Sequence, residues 1–449
     1  MRRTGSGQGL QRIIAVASPK RPSQPGQCRQ AYDQRFLPTD KGHHYGNWSN
    51  WSRRAAWPDL HCGRTSLAAP PEPRGARGVA PVAGLRSCQQ DDISTEIDMT
   101  DTKIVPSTSS PLPPVRFVDT NGIRLAVYDE GSGPAVLLLH GFLGLAYSWR
   151  HQFSAFVRAG YRVIAVDQRG YGLSDRPAAV EAYDMANLTA DLVGVLDALG
   201  IEKAIVVGHD WGAGVAWQMP LHHPIRVAGV VALNVAYVPD GQLWLHPIQT
   251  KAVAPEFVPD PNVDPIEQMR RVYKSNMYVL SMHDSDHIDK LMVRDVRRTF
   301  ATCMRRGVLT SAQYVTFPPD AKHMELFQPL EGPEPDTSPG TAILSDEELD
   351  FYVEKFERTG FTPGLNWYRN WSRNWQANRN IDQTINVPSL MIAAEDDVTL
   401  APNMMDGMES FVPDVEKHVV RDCGHFSLEE KPGEVTGIVI DWLQRRFPV

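Results

Sequence analysis

Three residues in this 449-residue chain have the types and order that nucleophilic catalysis by a carboxylate requires. Asp210 sits in Gly208-His-Asp-Trp-Gly212, behind the β-branched run Ile205-Val-Val207 and ahead of a small-residue segment able to start a helix. Strand, abrupt turn and helix is the setting of a nucleophile elbow. The glycines two residues to either side let the backbone turn with no Cβ in the way. Most elbows carry Ser, which needs a base, whereas a carboxylate is already ionised at neutral pH. It suits displacement at a saturated carbon and leaves an ester on the protein. The plainer reading of Asp210 is a helix N-cap. Releasing an ester takes an activated water, with a histidine as base and a carboxylate to orient it. His425, in Asp422-Cys-Gly-His-Phe426, and Asp397, in Ala394-Glu-Asp-Asp-Val398, are the candidates, with Asp396 as second choice for the acid.

Such residues need a scaffold that gathers distant loops. Residues 115–118 and 123–128, around Asn121-Gly122, read as a hairpin. Residues 135–139 are an apolar run expected of a strand buried on both faces, ending in His140-Gly-Phe142. A helix is expected over 149–159, a strand at 161–166, and a helix over 185–199 stopped by Gly200. The elbow strand, its helix to about residue 222 and a strand at 227–233 follow. This alternation predicts an α/β fold, with a mostly parallel sheet covered by helices on both faces. It stops after Asn234. Residues 235–385 carry proline-rich loops and helical stretches. Ser345-Asp-Glu-Glu348 is a capping box, and Trp367, Trp371 and Trp375 recur at helical spacing on one side. Strands resume at 389–394 and 415–420, with a helix after Pro402 and a last helix over 434–446. The layout is a core of residues 114–234 and 386–449, interrupted after the sixth strand by a mostly helical lid over 235–385. Asp210, Asp397 and His425 each fall just beyond the C-terminal end of an expected strand, where open α/β sheets hold their ligands.

Composition narrows the classes. The chain is 42% hydrophobic and 22% charged with a net charge of −8, so there is no basic surplus for nucleic acid. No apolar run approaches the roughly 20 residues of a membrane span, and no signal peptide is recognisable. Five cysteines make no metal-ligand spacing, so no metal is expected; a reducing, cytoplasmic location is the simplest reading. Residues 1–98 are rich in Arg, Pro, Gly and Ser without sustained periodicity and are expected to be disordered. They read as an organelle-targeting segment or as an extension outside the mature protein, and the ordinary start at Met99 favours the second.

From about residue 114 to 449 the chain resembles the epoxide hydrolases of the α/β-hydrolase superfamily, which order nucleophile, acid and histidine in this way. Gly208-His-Asp-Trp-Gly-Ala213 matches their nucleophile motif, His140-Gly-Phe142 their oxyanion loop, and Asp167-Gln-Arg-Gly-Tyr-Gly172 the loop that follows. In that family two lid tyrosines hydrogen-bond the epoxide oxygen. Leu365-Asn-Trp-Tyr-Arg-Asn370 resembles the segment carrying one of them, which makes it Tyr368. Tyr278, twenty residues ahead of Arg298-Thr-Phe300, has the spacing of the other, with Tyr273 as the alternative. The resemblance implies that water hydrolyses a small apolar epoxide to a vicinal diol, through an ester on Asp210 that His425 and Asp397 release. It makes the backbone N–H groups of Phe142 and Trp211 the oxyanion hole and sets His140, Trp211, Tyr278 and Tyr368 against the substrate. It implies no cofactor and allows a homodimer. The family usually carries Pro after His-Gly-aromatic; Leu143 and Gly144 stand here, which predicts a looser loop. A haloalkane dehalogenase shares the Asp elbow but needs a halide donor where Phe142 stands, and a fluoroacetate-type dehalogenase would carry Arg at Trp211. A non-catalytic lidded binding protein has no need of His425. The paired lid tyrosines decide for the epoxide.

Overall fold

A computed structural model describes residues 111–333 and 339–449; the expectation for residues 1–98 lies outside them. Eight strands form one sheet: β1 (Arg116–Thr120), β2 (Ile123–Glu130), β3 (Ala135–Leu139), β4 (Arg162–Asp167), β5 (Ala204–His209), β6 (Val227–Leu233), β7 (Ser389–Ala394) and β8 (Val415–Val420). Their order across the sheet is β1-β2-β4-β3-β5-β6-β7-β8. β2 runs antiparallel to both its neighbours, and the remaining pairs are parallel. Asn121 (φ 45°) and Gly122 (φ 76°) are both left-handed, the geometry that matches hairpin twist.

Every residue of β3 and β5 is buried, and the two-residue period sorts their side chains between two cores. Leu137 and Val206 pack with Leu192 and Val215 from the helices Met185–Ala198 and Trp211–His222. Val136 and Val207 face the other way, toward Phe153 and Val439 of the helices Phe153–Arg158 and Pro432–Arg446. Each such side chain contributes roughly 1.5–3 kcal/mol by leaving water. β3 lies between β4 and β5, so the connections leaving β3 and β5 part there and open a crevice at their carboxyl ends.

The chain leaves the sheet after β6 and returns at β7 through a mostly helical lid. Its longer helices are Pro265–Val272, His287–Arg294, Val296–Cys303, Asp346–Thr359, Thr362–Arg369 and Trp371–Asn378, with Tyr278–Asp284 among them. Ser345 and Glu348 form the expected capping box. A buried ionic network fastens this lid to the core. Arg150 donates to Glu348 of the lid (2.7 Å) and to Glu429 of the core (3.1 Å). Tyr352 of the lid also donates to Glu429 (3.0 Å). Among the described residues, no helix is long and apolar enough to cross a membrane.

Three local expectations need correcting. The helix expected over 149–159 is a 3-10 turn, Ala146–Trp149, followed by the helix Phe153–Arg158. Tertiary bonds interrupt it: Arg150 turns to its two glutamates, and Gln152 donates to the Leu428 carbonyl at 2.8 Å. The helix after Pro402 is only a 3-10 turn, Pro402–Met405, with left-handed Gly407 (φ 82°) just beyond it. Trp367 and Trp375 sit on separate helices, because Asn370 ends one and starts the next.

Candidate active site

Asp210 follows β5 with φ 52° and ψ −124°, a conformation that costs a non-glycine residue on the order of 1–3 kcal/mol. Its surroundings hold it there. Its N–H donates to the Leu233 carbonyl (3.2 Å), and its own carbonyl accepts from Ala213 (2.9 Å) and Gly214 (3.1 Å). Asp210 stands at the N-cap position of the helix, but its side chain makes no capping bond. A Cβ on Gly208 would overlap the Gly212 carbonyl, and one on Gly212 the Leu139 carbonyl. The two glycines are what allow the helix to start this close to the strand ends. The turn therefore presents the carboxylate into the crevice instead of back onto its own helix.

Backbone amides hold that carboxylate. Asp210 Oδ1 accepts from Phe142 N–H at 2.7 Å, and the amide of Trp211 also donates to the carboxylate. Gly141 lies so close that a Cβ there would enter the Asp210 side chain. Burial pushes the Asp210 pKa up, but the hydrogen bond and charge of His425, with His209 and the Trp211 amide, outweigh it and hold it below the usual value. The group is an anion at neutral pH.

The loops after β7 and β8 bring the other two residues in. His425 Nδ1 meets Asp397 Oδ2 at 2.8 Å, and His425 Nε2 faces Asp210 Oδ2 at 3.5 Å. Asp397 Oδ1 accepts from Thr399 Oγ1 (2.8 Å) and Leu400 N–H (3.0 Å). Burial raises the Asp397 pKa, yet the charge and hydrogen bond of His425, with those donors, bring it to about 2. Burial alone would also discharge His425, but the two facing carboxylates hold its pKa well above the usual histidine value. Asp396, the second choice for the acid, turns away and accepts from Ser311 N–H of the lid at 2.8 Å.

The oxyanion loop differs from expectation in two ways. Leu143 (φ 61°) occupies a left-handed position in a turn closed by Gly144 N–H to the Gly141 carbonyl at 3.1 Å. Its side chain is buried. Proline cannot take that φ, so Leu143 makes a turn that the usual proline could not. His140 does not face the substrate space. Its Nε2 accepts from Gln168 N–H (3.1 Å), so the proton is on Nδ1, which donates to the Gly141 carbonyl (2.9 Å). Burial lowers its pKa to about 4, and this neutral ring holds the loop from behind.

Tyr278 and Tyr368 approach from the lid, their ring centres 6.3 Å apart. Together with Asp210 they line two cavities: a smaller one of about 120 Å³ and a larger one of about 780 Å³. Trp211, Trp217, Trp244 and Trp371 make the smaller one aromatic; Phe142, Phe327 and His425 border the larger. Trp211 fixes Tyr368 in an edge contact at 5.0 Å and packs on Trp367 and Trp371 as well. Burial, with the nearby Asp210 charge, holds both tyrosine hydroxyls well above their usual pKa, so both are protonated donors at neutral pH. Tyr273 spends its hydroxyl on the Trp244 carbonyl at 2.8 Å and borders neither cavity.

Sequence reasoning missed three residues that support the site. Asn234 (φ 68°) donates to Asp397 Oδ2 at 2.9 Å and accepts from Ser427 at 2.6 Å. His209 Nε2 reaches the His425 carbonyl at 2.7 Å, its pKa lowered to about 4 by burial and the His425 charge. Glu430 binds the loop of His425. The one available signal was the position of Asn234 directly after a strand, where Asn tolerates left-handed backbone. Among the described residues, no group of His, Cys, Asp and Glu is placed to hold a metal ion.

A doubly covered, mostly parallel sheet with an acid at its elbow and an acid–histidine pair beyond the next strands defines an α/β-hydrolase. The alpha/beta hydrolase fold family matches residues 134–432. Epoxide hydrolase A of Mycobacterium tuberculosis is 42% identical over 341 residues, covering 74% of this chain and 97% of that protein. Bifunctional epoxide hydrolase 2 of Mus musculus is 36% identical over 324 residues, and the match spans 54% of its length. The crystal structure of epoxide hydrolase A from Mycobacterium thermoresistibile superimposes with a TM-score of 0.61 at 37% identity, covering 74% of this chain and 98% of that one. The chain belongs to the epoxide hydrolases.

Proposed function

We propose that the chain hydrolyses a small apolar epoxide to a vicinal diol in two steps, with Asp210 as nucleophile. The observation that carries this reading is that Asp210, Tyr278 and Tyr368 line the same two cavities, with the His425–Asp397 pair beside them. Asp210 Oδ2 attacks one epoxide carbon. The ring C–O bond breaks, and the freed oxygen takes a proton from the tyrosine pair. Esterification removes the Asp210 charge, so His425 faces one carboxylate instead of two and its pKa falls. The proton it gives up restores the tyrosine.

Neutral His425, oriented by Asp397, then takes a proton from water as the water oxygen bonds to Cγ of Asp210. Negative charge develops on Oδ1, to which the Phe142 amide already donates, with the Trp211 amide also on the same carboxylate. Collapse breaks the ester bond, and the departing oxygen takes the hydrogen of the new carboxyl group. Asp210 is again an anion facing a charged His425, and one water has been added. No cofactor enters any step.

The apolar walls support an apolar substrate, and turning a reactive epoxide into a diol fits a role in detoxification; the free thiols of Cys303 and Cys423 support a reducing, cytoplasmic location. A haloalkane substrate is disfavoured because Phe142 packs edge-on against Tyr368 at 5.5 Å and offers no side-chain donor. Incubation with styrene oxide and with a chloroalkane, assaying diol and halide, tests the reading. Diol without halide is expected; halide release with no diol would overturn it.

A further inference from the structure

His425 can act as the base only if its ring stays aimed between Asp210 and the attacking water, yet it sits on a loop, not on a strand or helix. What holds that loop is a side chain the reaction itself does not use. Glu430 accepts from Gly424 N–H through Oε2 at 2.9 Å and from Phe426 N–H through Oε1 at 3.1 Å. These are the two amides that flank His425. His209 takes the intervening carbonyl, so the backbone around the histidine is gripped at three consecutive residues.

The fit is close. A Cβ on Gly424 would come within 3.0 Å of Glu430 Oε1, so a residue larger than glycine would press on the carboxylate. Glu430 is buried and lines the larger cavity beside His425 and Asp397. Its two oxygens accept from both N–H donors at once, whereas a glutamine amide of the same length has one acceptor oxygen and a donor; burial pushes the carboxyl pKa up, and the two amides pull it back down.

We propose that Glu430 is a positioning residue for ester hydrolysis, setting the aim of His425 by binding both amides that flank it. Alkylation uses Asp210 and the tyrosines and does not need that aim. The second step does, because proton transfer from water depends on heavy-atom distance and direction. This proposal rests on the two-step reading above.

The test is a single-turnover reaction with styrene oxide, following the ester on the elbow peptide by rapid quench and mass spectrometry. In Glu430→Gln the amide group sets a donor against a donor, so one bond is lost while size is kept. Ester formation is expected within about threefold of wild type, with its decay slowed roughly 10–100-fold so that ester accumulates. Glu430→Asp, too short to reach both amides, should fall between the two. Equal slowing of both steps, or unchanged decay, in both variants overturns the proposal. His425→Gln serves as the control. If it accumulates no ester, the two-step reading has failed; if it does and the Glu430 variants do not, only the role of Glu430 has.

Discussion

His425 Nε2 lies 3.5 Å from Asp210 Oδ2, while the other oxygen of the same carboxylate is held by the Phe142 amide. The two oxygens are thereby distinguished before any substrate arrives. In the proposed mechanism the amide-bound Oδ1 is the oxygen that takes up negative charge, and Oδ2 is the one that attacks. The two carboxylates hold the imidazole beside Oδ2 charged while Asp210 is an anion; the proposed mechanism makes it the base once Asp210 is an ester.

That relationship fixes a pH dependence. Two carboxylates raise the His425 pKa in the free protein; the ester removes one of them. His425 takes a proton only when neutral, so a lower pKa moves the acid limb of ester hydrolysis to lower pH. The limb measured by single-turnover decay should lie roughly one unit or more below the free protein's His425 titration measured by NMR. Coincidence of the two would mean that Asp210 does not set the charge of His425.

The lid tyrosines should act as a pair. Tyr278→Phe and Tyr368→Phe should each slow ester formation, and the double variant should lose about 10²–10⁴-fold. Tyr273→Phe should leave it near wild type, because that hydroxyl is already bound to the Trp244 carbonyl. Pre-steady-state rates of ester formation decide the assignment.

Arg150→Met should destabilise the protein by about 3–5 kcal/mol by leaving a buried carboxylate unpaired. Glu429 already has a raised pKa, chiefly from burial, with Arg150 pulling it down. Without Arg150 it should rise further. A carboxyl whose folded pKa exceeds its unfolded value binds the extra proton in the folded state, so the variant loses stability as pH rises through that window. Denaturant unfolding at pH 5 and pH 8 should show the larger loss at pH 8.

Much of this site was legible because its signals are local. Glycines two residues to either side of Asp210 mark the elbow, and a strand ending just before Asp397 and another before His425 put them at one edge of the sheet. The segment around Tyr368 carries its own motif. The supports were not legible, because their partners are distant in sequence. Asn234 meets Asp397 and Ser427, and His209 meets His425, only once β5 to β8 are side by side. His140 was misread because a motif gives a residue's place and not the direction of its ring, which Gln168 decides. The helix expected over 149–159 failed for the same reason: the apolar spacing of Trp149 and Phe153 is local, but the pull of Glu348, Glu429 and Leu428 on the residues between them is not.

The covalent mechanism requires that the oxygen added to the epoxide come from Asp210. A single turnover of wild-type protein with styrene oxide in ¹⁸O-labelled water measures this directly. Attack by Asp210 predicts unlabelled diol from the first turnover and one ¹⁸O in the Asp210 carboxyl of the elbow peptide. Labelled diol with an unlabelled Asp210 would mean that water opens the epoxide itself and that no ester forms.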